Sequence, residues 1–177
     1  MRNVTKAVGY VLVLVGVIGL GWGLWPQPTQ TWHNTANGVA MTFRAPTVMR
    51  RGEAVSAQMH LALADQPATS APLHFEIQLV TNGFAVSPEG LLTLTLAPGQ
   101  QADLAWQLQG DTSGDFQGAL WVYRLLPDGS TEALFNHPLR VRVISLLGLG
   151  GQQARLLGVF ALTLAGLLYF YQRSERT

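Results

Sequence analysis

Two uncharged apolar runs, one near each end of the chain, constrain this protein more than anything between them. From Ala7 to Trp25 the sequence reads AVGYVLVLVGVIGLGWGLW, nineteen residues without a charge. As a helix rising ~1.5 Å per residue it covers roughly 28 Å, about the thickness of a bilayer's hydrocarbon core. Arg2 and Lys6 precede it, and Trp22 and Trp25 stand at its far end, where indoles favour the membrane interface. Pro26 and Pro28 then stop the helix. The second run, Leu156 to Tyr171, has sixteen residues. At roughly 24 Å it is slightly short of the core. Ala154 and the stem of Arg155 extend it, with the guanidinium snorkelling to the headgroups, and Tyr169 and Tyr171 anchor its other end.

The expected organisation follows. Residues 1–6 are a cytoplasmic tail, 7–25 a transmembrane helix, 26–38 an extended linker and 39–144 an extracytoplasmic domain; 145–153 form an interfacial segment, 154–171 a second transmembrane helix and 172–177 a second cytoplasmic tail. The basic flanks (Arg2 and Lys6 before the first helix, Arg173 and Arg176 after the second) keep both tails on the cytoplasmic side and export the loop between them. This is a two-pass protein of the inner (cell) membrane. The rival for the first run is a cleaved signal peptide, which also has a basic start. The apolar run exceeds the usual signal core, and Trp22 and Trp25 crowd the place of a small-residue cleavage site, which favours retention.

Both helices carry small residues in rows. Gly9, Gly16 and Gly23 recur every seven residues, with Gly19 four before Gly23; Gly151, Ala154, Gly158, Ala161 and Ala165 follow spacings of three and four. Such spacing puts each set on one helical face. In lipid, where helices attract through close backbone approach, these faces are expected to pack on each other or on a partner's helices. The bland reading is that glycine is common in membrane helices.

Composition narrows the domain between them. Thr29 to Ile144 holds six Arg, no Lys and nine Asp or Glu. A mildly acidic region without lysine lacks the clustered cations that displace counterions from phosphate, so no nucleic acid is expected as partner. The absence of cysteine removes disulfides, thiolate metal sites and Cys nucleophiles together.

From Val39 to Ile144 apolar and polar residues alternate with period two, broken by turn signals. Val55, Ala57, Met59, Leu61 and Leu63 share one face, as do Leu73, Phe75, Ile77 and Leu79. Leu92, Leu94 and Leu96 share another, and Ala102, Leu104, Trp106 and Leu108 a fourth. Pro98-Gly99 and Pro127-Asp128-Gly129 read as hairpin turns. The fold class is an all-β, immunoglobulin-like antiparallel sandwich of about seven to eight strands, flanked by two transmembrane α-helices. An odd strand count leaves the domain's ends far apart, so an eighth strand or the linker climbing the flank must bring the chain back. Trp32 would pin that linker, and Pro138 would let the last strand cross between sheets.

The stretch Leu73 to Tyr123 carries Val86-Ser87-Pro88, Leu96-Ala97-Pro98-Gly99, Trp106 and Gly114-Asp115-Phe116. It resembles the bacterial immunoglobulin-like domains of the CARDB and NPCBM-associated kind. Those motifs encode turns and core positions. The resemblance implies an adhesive, spacer or interaction module and names no ligand.

No chemistry converges in the sequence. His33, His60, His74 and His137 are the available imidazoles, and His60 and His74 on consecutive strands would approach if those strands paired. A blue-copper set lacks its cysteine, and Asp111 to Asp115 is too short and ligand-poor for a calcium loop. No nucleophile elbow or dinucleotide fingerprint is present. No catalytic residue, metal or cofactor is therefore expected. Arg140 and Arg142 on one face of the last strand, with Arg50 and Arg51 nearby, offer a basic surface for headgroups or an acidic partner; ordinary edge-strand charges are the plainer reading. Trp121 and Tyr123 share one face of a strand and offer aromatic surface. The expected role is a non-enzymatic accessory or structural subunit, in contact with the lipid bilayer and with integral membrane partners. The alternative is a membrane-anchored module binding a ligand or glycan of the cell envelope.

Overall fold

Period-two alternation becomes ten strands whose apolar side chains meet between two sheets. The computed structural model describes residues 2–64 and 71–174; the side chains of the basic flanks Arg2, Arg173 and Arg176 lie outside what is described. In chain order the elements are α1 (Arg2–Leu24), β1 (Thr29–Ala36), β2 (Val39–Pro46), β3 (Val48–Arg50), β4 (Ala54–Leu63), β5 (Leu73–Asn82), β6 (Ala85–Ser87), β7 (Leu91–Leu96), β8 (Gln101–Gln109), β9 (Gly114–Leu125), β10 (Thr131–Ile144) and α2 (Gly151–Ser174). They divide into two units. One comprises both sheets, residues 27–49 and 54–144; the other comprises both helices with the turn Arg50–Glu53 and the residues from Ser145 onward.

In the first sheet the order is β1-β2-β4-β8-β6, and in the second β3-β10-β9-β5-β7. Inward-facing Met41, Phe43, Met59, Leu61, Phe75, Ile77, Trp106, Leu108, Leu120 and Leu139 form one core. Polar partners of the same strands face outward, as the pleat requires. After Pro46 the chain leaves the first sheet and joins the second, where the N–H of Arg142 donates to the carbonyl of Thr47 at 3.0 Å. This division of an early strand between two layers, with its neighbours in the order above, is an immunoglobulin-like sandwich.

The sandwich departs from the sequence expectation in four places. Among the described residues it has ten strands, five in each sheet, rather than seven or eight. Most of the expected linker is β1, paired antiparallel along β2 from Thr29↔Pro46 to Ala36↔Val39. Its residues TQTWHNTA have no apolar alternation because an edge strand buries little of either face. The switch between sheets lies at Pro46–Val48. Pro138 lies inside a continuous β10, on its outward face opposite Ala119, and the irregularity in that strand falls between Ala133 and Phe135. Finally, the Pro98-Gly99 turn does not close a hairpin. β7 pairs with β5 while β8 pairs with β4, so the turn arches from one sheet to the other. Periodicity gives the faces of a strand and leaves its partner unstated. By contrast, Pro127-Asp128-Gly129 does join the paired strands β9 and β10, with the Ser130 N–H and hydroxyl both donating to Asp128, at 2.9 and 2.6 Å. Those two bonds hold the Asp128 carboxyl below its usual range.

Trp32 is what fastens β1. Its ring lies 5.6 Å from Phe43 and 4.4 Å from His137, which in turn stacks on Phe135 at 5.8 Å. A strand of the first sheet is thereby closed against β10 of the second. Burial among these rings pushes the His137 imidazole below its ordinary range. With the folded value depressed, the unfolded chain binds the proton more readily, and stability falls as acid is added. The sandwich's unfolding midpoint should hold steady above pH ~7 and decline below about pH 6.5. His137→Phe should remove that decline between pH 7 and 5.5. A midpoint that rises on acidification would instead mean that cation–π attraction to Trp32 outweighs burial.

Candidate functional site

In the helical unit the small-residue rows of α1 and α2 are turned toward each other. A side chain on Gly19 would meet the Ala154 carbonyl at 2.8 Å and the Cα of Gly158 at 3.2 Å; one on Gly158 would meet the Leu20 nitrogen at 2.9 Å and the Gly16 carbonyl at 3.0 Å. Backbones that close leave no room for a methyl group. Leu162 fills the hollow over Gly16, where an added Cβ would meet its Cδ2 at 2.7 Å. Ala154, Ala161 and Ala165 continue the buried stripe on α2. Gly9 stands outside it, half-buried with open space where a side chain would go.

Two glycines of the same rows make room for charge. At Gly23 a Cβ would strike the stem of Arg155, and at Gly151 it would strike the Glu53 carboxylate and lie 2.7 Å from Cδ of Arg50. Glu53 is the centre of this cluster. Its Oε2 accepts from Nη1 of Arg50 at 3.0 Å and its Oε1 accepts from Nη2 of Arg155. Arg50, 7% exposed, also donates through Nη2 to the carbonyl of Trp25 at the end of α1. The Glu53 side chain is only 12% exposed. Its carboxylate lies against the first turn of α2, where free N–H groups and the helix dipole favour an anion. Arg155 was expected to snorkel to headgroups; its guanidinium instead turns onto Glu53, because a carboxylate this shielded needs a second cation.

α2 begins at Gly151, three residues before the expected Ala154. Leu147 (φ 52°) and Gly148 (φ 82°) make a tight turn, and Leu146 and Leu149 exchange backbone bonds of 3.0 and 2.9 Å across it. The Gln153 side chain then accepts from the Gly150 N–H at 3.0 Å, capping the helix from its third residue. The helix spans twenty-four residues, from Gly151 to Ser174. Both helices are long and apolar enough to cross a membrane over Lys6–Leu24 and Gly151–Tyr171. Of the expected interface anchors, Trp25, Tyr169 and Tyr171 are exposed and Trp22 is half-buried.

Elsewhere the expected constellations separate. His60 and His74 lie in different sheets, bonded to Asp103 and Thr95, both at 2.8 Å. His33 pairs with the Thr42 hydroxyl at 3.0 Å. Among the described residues no three His, Asp or Glu side chains gather as a metal site would require. Arg140 and Arg142 stand on the outer face of the second sheet. There Arg142 grips Asp115 at 2.6 Å, and that hydrogen bond, with the charge beside it, holds the Asp115 carboxyl below its usual range. Trp121 and Tyr123 also lie on this outer face, their rings stacked 5.9 Å apart and parallel to within 2°.

Glu53 went unnoticed in the sequence. Its signal was indirect: Arg155, a cation at the mouth of an apolar helix, called for a counter-ion, and the turn Arg50-Arg51-Gly52-Glu53 carried one.

No protein-family model matches the chain, the CARDB and NPCBM-associated kinds included, and no curated protein does. Solved structures of similar shape include the PapD-like domain 7 of human CEP192, with TM-score 0.43 and 10% identity over 63% of this chain and 88% of that one. Native Escherichia coli alpha-2-macroglobulin aligns with TM-score 0.45 and 18% identity over 66% of this chain and 7% of that one. A chain of the complex between zinc 2-glycoprotein and prolactin-inducible protein from human seminal plasma aligns with TM-score 0.44 and 12% identity, over 68% and 98%. Likenesses this slight carry no functional weight, and the fold stands on its own strand order.

Two outcomes test the helical unit. Gly19→Leu or Gly158→Leu should weaken the helix pair by about 1–3 kcal/mol, while Gly9→Leu leaves it unchanged, as read by graded SDS unfolding followed by circular dichroism. Glu53→Gln strands the shielded Arg50 and should cost about 3–5 kcal/mol. Adding Arg50→Gln should restore part of that loss; a strictly additive double variant would show that the pair is not coupled.

Proposed function

We propose that the protein is a non-enzymatic accessory or structural subunit of a bacterial membrane complex. In this reading both helices span the inner membrane as a hairpin, both tails are cytoplasmic, and the sandwich contacts extracytoplasmic parts of integral membrane partners. The observation that carries it is the closed glycine seam between α1 and α2. Backbone-to-backbone packing of glycines is how helices associate where lipid removes the hydrophobic drive. Because the helices spend their small-residue faces on each other, partners must meet the outward faces. Val11, Leu14 and Ile18 on α1, and Val159, Phe160 and Leu167 on α2, are exposed there. Such apolar surface on both helices suits lipid or another protein's helices and suits water poorly.

The motifs of Leu73–Tyr123 support an interaction module of the CARDB or NPCBM-associated kind in the exported position. A glycan-binding module is the alternative. It would rely on Trp121 and Tyr123, half-buried on the outer face of the second sheet with their rings parallel and 5.9 Å apart.

Purification in mild detergent followed by native electrophoresis should give a particle larger than the chain with a second integral membrane protein in fixed ratio. Protease added to the extracytoplasmic side of intact cells stripped of outer layers should cleave the sandwich. A lone monomer, or cleavage only from the cytoplasmic side, would overturn the proposal.

A further inference from the structure

The sandwich is unfinished along one lip. β8 pairs with β4 along its whole length on one side, but on the other β6 covers only Gln107, Leu108 and Gln109. The chain leaves the edge of β8 at Pro88, which has no N–H to continue a ladder. Among the described residues, no strand pairs with that edge of Gln101–Trp106. Across the core, β7 is the last strand of the second sheet among the described residues and pairs there with β5 alone. The arch at Pro98-Gly99 sends β7 and β8 away from one turn in opposite sheets, so these two open edges flank the same gap. The inward residues there, Leu92 and Leu94 on β7 with Ala102 and Leu104 on β8, pack against the core yet stay half-exposed.

Water satisfies an exposed ladder edge, and the protein element whose donors and acceptors match its spacing is a strand. We propose that an extended segment of a partner protein, about six residues long, completes the first sheet along Gln101–Trp106 in line with β6. Its alternate apolar side chains close over Leu92, Leu94, Ala102 and Leu104. Charge selects among donors. The formal charges carried by Ala85–Leu96 and Gln101–Trp106 are the exposed carboxylates Glu89 and Asp103. A donor with basic flanks is attracted and an acidic one repelled. This inference concerns the sandwich alone and holds whether or not the helices cross a membrane.

The full chain in detergent is the test, and the probe is an eight-residue peptide of alternating threonine and valine with a lysine at each end. Saturable binding is expected, with amide exchange at Leu91–Leu96 and Gln101–Trp106 slowed about tenfold or more. A peptide ending in glutamates should bind about tenfold more weakly. Ala102→Lys places an ammonium in the gap and should abolish binding with little change in unfolding midpoint. If that variant does not fold, the exchange map of the unmodified chain decides. Absence of binding, protection elsewhere, or a chain whose two edges are already protected in a dimer would each overturn the proposal.

Discussion

The carboxylate of Glu53 is the group around which the helical unit is arranged. A charge this shielded persists only when its lone pairs are filled, and here Arg50, Arg155 and the first turn of α2 fill them. Arg50 also ties down the last carbonyl of the α1 segment through Trp25. The end of α1 and the start of α2 thus converge on two side chains from one short turn. Such a network adds little net stability over an apolar replacement, because desolvation offsets most of the attraction. What it fixes is register: a displacement of α1, α2 or the turn would leave a charge without its partner.

The glycine rows divide their labour around this centre. Gly16, Gly19 and Gly158 let two backbones approach, which maximises dispersion contacts between helices. Gly23 and Gly151 belong to the same stripes, yet the space they leave is occupied by the Arg155 stem and the Glu53 carboxylate. A single spacing rule therefore serves two purposes, packing along the middle of the pair and charge accommodation at one end.

The sandwich treats its two lips differently. On one, β1 is laid along β2 and fastened to β10 by the stack of Phe43, Trp32, His137 and Phe135. The core behind it is sealed by aromatic rings. On the other, β6 stops after three residues and leucines of β7 and β8 remain half-exposed. The contrast lies in local sequence: a tryptophan on the first edge strand, a proline at the end of β6.

What the sequence determined by itself is whatever depends on spacing along one chain. The two apolar runs, the inward faces of β4, β5, β7 and β8, the β9–β10 hairpin and the small-residue rows all follow from periods of 3.6 and 2 and from local turn chemistry. Only the tertiary structure decided which strands pair, and so it alone revealed β1 as a strand, separated His60 from His74, and made an arch of the Pro98-Gly99 turn. It also decided that the two rows of small residues face each other. Glu53 shows the reason most plainly. Its partners Arg50 and Arg155 lie three and 102 residues away, and a counter-ion is chosen by proximity in space, which no period along the chain encodes.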